Sequence, residues 1–189
     1  MRSKRKGDGR PARPARFLPA RFFGDRRGAT AVEFAMLAIP LIAILMAALQ
    51  TAIIFFFGQA LQTLTASAAR QIMVGSAQNK GYTTLAAFKT NVVCVTAPTA
   101  FPCSGLMVDV QSASSFSSLS TTPITITYDA NGNPTNTFSY APGTQGSAVI
   151  VRVMYDWPVF GGPLGIGLAN QSNGTHLLVG TAVFKNEPY

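Results

Sequence analysis

The chain has 189 residues, room for one modest globular domain and an anchor. Its formal charge of +8 resides in residues 1–27, which hold ten basic and two acidic side chains, while residues 28–189 hold five of each. The high isoelectric point thus describes an N-terminal arm. With that arm directly ahead of an apolar run, a membrane role outweighs a nucleic-acid one, and no nucleic-acid partner is expected.

In chain order, residues 1–28 form the basic leader. Pro11, Pro14, Pro19 and scattered glycines work against packing, so disorder is expected there. Residues 34–58 come next, with no charge at all and only Gln50 and Thr51 clearly polar. As a helix this run measures ~38 Å, against ~30 Å for the hydrocarbon core of a bilayer. The apolar region of a cleaved secretory signal is shorter, ~7–15 residues, so a retained anchor is favoured. The Arg26-Arg27 pair alone does not establish twin-arginine export. Bases before the span hold that end in the cytoplasm and predict an N-in, C-out orientation. Pro40 removes one backbone donor and is expected to bend the helix.

Leu61, Leu64, Ala68 and Ile72 recur at spacings of three and four, so the helix is predicted to continue beyond the span and to pack one side against the C-terminal domain. Gly75 is a natural stop. Beyond residue 80, residues 84–93 read as a short helix and 106–110 as a strand. The Ser-rich stretch 112–122 reads as a surface loop. Residues 123–128 and 137–140 are read as a hairpin around the turn Asp129-Ala-Asn-Gly-Asn-Pro134. Residues 148–157 form the strongest strand, alternating Ala148, Ile150, Arg152 against Val149, Val151, Val153, with Pro158 as its end. Residues 176–185 form another. A long helix and then successive strands predict an α+β fold with an antiparallel sheet. The chain therefore divides into a basic cytoplasmic leader (1–28), a transmembrane and extended N-terminal helix (29–75) and an outer α+β domain (76–189).

Cys94 and Cys103 lie beyond the span, on the oxidising side in this orientation, and are expected to form a disulfide. Closing that short loop is worth roughly 2.5–3 kcal/mol in the chain-entropy model. Two cysteines with the distant His176 make a poor zinc set, so no metal is expected. The chain shows no Gly-x-Ser-x-Gly elbow. The glycines at 161, 162, 165 and 167 lack the Lys-Ser/Thr end of a phosphate loop and read as a flexible loop. No catalytic residues and no cofactor are expected, and the reading is not an enzyme. Tyr155 and Trp157 are read as core or rim packing, and Asn173-Gly174-Thr175 matches a glycosylation triplet of low specificity.

The most informative stretch is Arg26-Arg27-Gly28-Ala29-Thr30-Ala31-Val32-Glu33-Phe34. A carboxylate at the mouth of a membrane helix is costly and calls for a reason. Cleavage after Gly28 would make Glu33 the fifth residue of the new chain. This stretch resembles the processing site of type IV pilin-like precursors, and the Phe after the Glu resembles the Flp-type, tight-adherence branch. The continuation Val32-Glu-Phe-Ala-Met-Leu-Ala-Ile-Pro40, the Ala68-Ala69-Arg70 tripeptide and the ending Thr181-Ala-Val-Phe-Lys-Asn-Glu-Pro188 are similar to TadE-like pseudopilins. TadG-like and TadF-like proteins share parts of this pattern. The specific motif covers about residues 26–70.

The resemblance implies a minor subunit or assembly factor of an adhesive pilus, held in the bacterial inner membrane with the outer α+β domain (76–189) periplasmic, and in some states part of an extracellular filament. It implies a processing site at Gly28, Ala29, Glu33 and Phe34, cut by a prepilin peptidase between Gly28 and Ala29. It further implies that Glu33 pairs with the freed N-terminal amine of a neighbouring subunit. The implied partners are other pilus subunits, inner-membrane assembly proteins, the peptidase and membrane lipid. The alternative is a permanently anchored periplasmic protein that binds a ligand or envelope component and needs neither Gly28 nor Glu33.

Overall fold

The computed structural model describes residues 28–159 and 167–189. The expectations for the basic leader before Gly28 and for the glycine loop over residues 161–166 lie outside the described residues. The chain separates into two units, Met1–Ile42 and Ala43–Tyr189.

Helix α1 (Ala29–Met73) is 45 residues long and is assigned as helix through Pro40. It is rich in Ala, Leu and Ile, and apart from Pro40 its only other weak helix former is Gly58. In the first unit, its described part presents Phe34, Met36, Leu37, Ile39, Leu41 and Ile42 to the outside.

In the second unit, α1 ends where the sequence places a stop. Gly75 adopts φ 72° and its N–H donates to Ile72 O at 3.0 Å, a left-handed termination that glycine tolerates best. The ring of Tyr189 also lies where a Gly75 side chain would stand. Glu187 N–H donates to Met73 O at 2.9 Å, satisfying one of the carbonyls a helix end leaves open. A short helix α2 (Ser76–Asn79) comes next. Then α3 (Leu85–Phe88), a π-helical stretch (Lys89–Val93) and α4 (Cys94–Thr96) run on as one apolar helix. Thr84 caps it by accepting from Ala87 N–H at 3.2 Å.

Strands β1 (Leu106–Ala113), β2 (Ala148–Pro158) and β3 (Thr175–Lys185) form one antiparallel sheet in the order β1-β2-β3. The α+β expectation holds. As the central strand, β2 is buried on both faces, so both of its alternating sets are inside. Val149, Val151 and Val153 meet Leu61, Leu64, Ala68 and Ile72 of α1 in the main core, with Phe88, Val93, Val108 and Val110. Each such side chain contributes ~1.5–3 kcal/mol when fully buried. Gly180 on β3 marks the closest approach. A Cβ there would meet Thr65 and come within 2.8 Å of Leu61 O.

The opposite face of the sheet is covered by coil. Met107 and Met154 pack with Ile126, and Ala148 and Ile150 pack with Leu119. Between them Arg152 and Asp109, paired across β1 and β2, are 5% and 3% exposed with Nη1 and Oδ2 3.4 Å apart. Arg152 Nη2 donates to Ser120 O at 2.7 Å, and Asp109 Oδ1 accepts from Ser139 N–H at 3.0 Å. The pair thereby fastens both covering segments.

The expected hairpin over 123–140 does not form a ladder. Only the bridges Tyr128↔Pro134 and Val110↔Tyr140 occur there. The reason is local: Asn136 Oδ1 accepts from Thr127 N–H at 2.8 Å and its Nδ2 donates to Thr125 O at 2.9 Å. A side-chain amide occupies groups a partner strand would use. The turn itself forms, with Asp129 Oδ1 accepting from Asn131 and Asn133 N–H. The Ser-rich stretch is not purely surface either: Ser112 and Ala113 belong to β1, and Leu119 is buried.

Candidate functional site: the helix entrance and the groove beside β1

Gly28 immediately precedes α1, is exposed, and has no described atom within 4 Å of the place a Cβ would occupy. Its smallness therefore serves no packing purpose among the described residues. Ala29 opens the helix, and Glu33 lies four residues on, on the same helical face. Glu33 is exposed and makes no hydrogen bond or ion pair with a described residue. Phe34 beside it is 74% exposed. The linear motif thus presents an open glycine, a free carboxylate and a bare aromatic ring on about one and a half helical turns.

Further along, Ile44, Leu45, Met46, Leu49, Ile53, Phe55 and Phe56 are exposed as well. A helix of this length and composition is sufficient to cross a membrane. Thr51, one of the two clearly polar residues of the 34–58 run, donates its hydroxyl to Ala47 O at 2.9 Å, so that donor is satisfied within the helix.

The structure joins Cys94 and Cys103 in a disulfide, with Cα atoms 5.3 Å apart. Tyr155 and Trp157 join an aromatic cluster: Trp157 stacks on Phe57 at 4.1 Å, and Phe101 stands edge-on to Phe57 at 5.8 Å. His176 Nδ1 donates to Leu168 O at 2.6 Å. Asn173 is engaged through Oδ1, which accepts from the Thr175 hydroxyl at 2.6 Å. Among the described residues no group of His, Cys, Asp or Glu is arranged to hold a metal ion.

Sequence reading missed a groove of about 420 Å³ beside the β1 edge, lined by Leu85, Lys89, Leu106, Val108, Phe138 and Tyr155 among others. Burial lowers the Lys89 amine from its ordinary range. Near it, the Tyr128 hydroxyl is raised well above the usual phenol range, first by burial and then by its hydrogen bond to Asp156. Burial also pushes Tyr140 up to about 12. The Asp109–Arg152 pair was missed too, although each is the only charge within an otherwise apolar strand core, a signal the sequence does contain.

Among the described residues, an apolar helix of spanning length, opening on an exposed glycine and carboxylate, leads into a small α+β domain, an arrangement compatible with a single-pass membrane anchor. Residues 28–70 match the family model described as TadE-like protein, so the resemblance to TadE-like proteins holds over that region. No curated protein and no solved structure matches the chain.

Proposed function

We propose that this protein is a TadE-like minor pilin acting in assembly of Flp-type, tight-adherence pili. α1 anchors it in the bacterial inner membrane with the basic leader in the cytoplasm and the sheet domain in the periplasm. A prepilin peptidase cuts after Gly28, and the free Glu33 carboxylate then pairs with the new N-terminal amine of a neighbouring subunit. The observation that carries this reading is the entrance itself: Gly28 open to approach and Glu33 without a partner among the described residues, within the region matched by the TadE-like model. A carboxylate and an ammonium are each poor alone in a low-dielectric setting and attract strongly together.

The test is the N-terminus of the membrane-extracted protein, with and without the cognate peptidase. A chain starting at Ala29 only with the peptidase, and lost in Gly28→Trp, is the expected result. Glu33→Gln is then expected to be processed normally but to lower assembly of the pilus at least ~10-fold, as removal of one partner of a desolvated charge pair does. A chain still starting at Met1 would remove the pilin-like route. It would favour the second reading, a permanently anchored periplasmic binding protein, for which the apolar groove beside Lys89 is the available site.

A further inference from the structure

We propose that the end of the sheet domain nearest the exposed stretch of α1 is itself a membrane-surface contact, an aromatic rim that rests in the lipid interface and sets the depth and tilt of the domain. This rests on reading α1 as the anchor. Three observations carry it.

The first is direction. Within the second unit, the start of β2 lies by the far end of α1, where the tail after β3 bonds Met73. The end of β2 lies at Phe57, where Trp157 stacks. Sixteen residues of α1, ~24 Å of helix, separate these levels. The Trp157 end therefore lies toward the stretch of α1 in which Ile44, Leu45, Met46, Leu49, Ile53, Phe55 and Phe56 are exposed.

The second is depth. Counting ~20 residues of hydrocarbon span from Glu33 brings the outer boundary to the neighbourhood of Phe55. The run whose only clearly polar residues are Gln50 and Thr51 closes at Gly58, and polar side chains become frequent from Gln59 onward. Phe57 and its ring partners stand where amphipathic aromatic side chains are stabilised by a polar tip near headgroups and an apolar body below them.

The third is composition. Phe55 and Phe56 are 69% and 68% exposed, and the half-buried Trp157 and Leu168 join the same end from two further segments, over the buried ring of Phe101. His176 holds Leu168 there through its backbone carbonyl. This surface is continuous with the apolar helix, so its occupant is the same lipid and not a second protein.

Trp157 is the only tryptophan in the chain and so reports its own surroundings. The full chain is placed in vesicles of phosphatidylcholine and phosphatidylglycerol. The lipids carry bromine either near the ester end or near the terminus of the acyl chains. The expected result is a roughly twofold loss of Trp157 emission with the shallow label, a smaller loss with the deep label, and poor quenching by aqueous acrylamide. Three results would overturn the proposal. Emission unaffected by either lipid while acrylamide quenches it, in protein that resists alkaline extraction, would leave the anchor and remove the rim contact. Shielding from lipid and acrylamide alike would put protein on the rim. Stronger quenching by the deep label would place the ring inside the span. Release of the chain by alkaline extraction is a separate failure, that of the anchor reading.

Discussion

Residues 34–53 and 54–73 of α1 belong to one helix, yet they meet opposite surroundings. In the first stretch Phe34, Leu37, Leu45 and Leu49 all stand exposed. In the second, Leu61, Leu64, Ala68 and Ile72 are buried against the sheet, with Leu61 0% exposed. The difference lies in composition and arrangement together: 34–53 has only Gln50 and Thr51 as clearly polar residues, whereas 54–73 also carries Gln59, Gln62, Thr63, Thr65, Ser67, Arg70 and Gln71. The first stretch is apolar all round, as lipid allows. The second confines its apolar residues to one stripe and places Gln59, Gln62, Thr63 and Gln71 elsewhere. One continuous helix thus carries two kinds of surface, and the sheet covers the stripe of the second.

The contrast breaks most visibly if the sheet is undone. Arg152→Met leaves Asp109 buried without its cation and is expected to destabilise the domain by ~3–5 kcal/mol. In detergent micelles, urea should melt the sheet early while the first stretch stays helical and embedded. Asp109→Leu combined with Arg152→Met should recover most of the loss. Equal melting of both stretches would show that they fold as one.

A smaller contrast comes from one leucine in each stretch. Leu61→Ala is expected to lower domain stability by ~2–5 kcal/mol through the cavity it leaves. Leu45→Ala should stay within ~0.5 kcal/mol by the same denaturant midpoint, since nothing of the core touches it.

The smallest effect is confined to the 129–133 turn, far from α1 in sequence. The hydrogen bond from Asn133 N–H, with those from the Asn133 side chain and Asn131 N–H, holds the Asp129 carboxyl below its ordinary range. The folded turn therefore favours the carboxylate. Its contribution is fully present above the unfolded carboxyl pKa and is lost as pH falls through the depressed folded value. Amide exchange at Asn131 and Asn133 should accelerate in that acidic window alone, with the core amides unchanged. Acceleration on raising the pH instead, beyond the intrinsic rate, would reverse the assignment.

The parts of this fold legible in the sequence are those written in local periodicity. The 61–64–68–72 stripe, the alternation of 148–153 and the stop at Gly75 each depend on neighbours within a few residues, and each appears in the structure. The entrance motif is legible for the same reason, since Gly28 and Glu33 sit on one short segment. What stayed hidden depends on register. Asp109 and Arg152 meet only because β1 and β2 align them, and the Asn136 amide displaces a ladder that the β-branched residues 124–127 would otherwise support. The rim around Trp157 gathers residues 57, 101, 157 and 168, which no window of sequence contains.

Gln62 has a consequence for the order in which the protein can complete itself. Its side-chain amide donates to Thr181 O at 2.8 Å and accepts from Thr181 N–H at 2.9 Å, across a separation of 119 residues. In effect one glutamine acts as a single residue of a missing fourth strand along the outer edge of β3. Until β3 is in place, the stripe of α1 lacks part of its cover and Gln62 has no partner on Thr181. Contacts of such long sequence separation form late and slowly. When they do form, the contact that helps close the core also covers part of the outer edge of β3, which narrows the opening for neighbouring copies to pair along it.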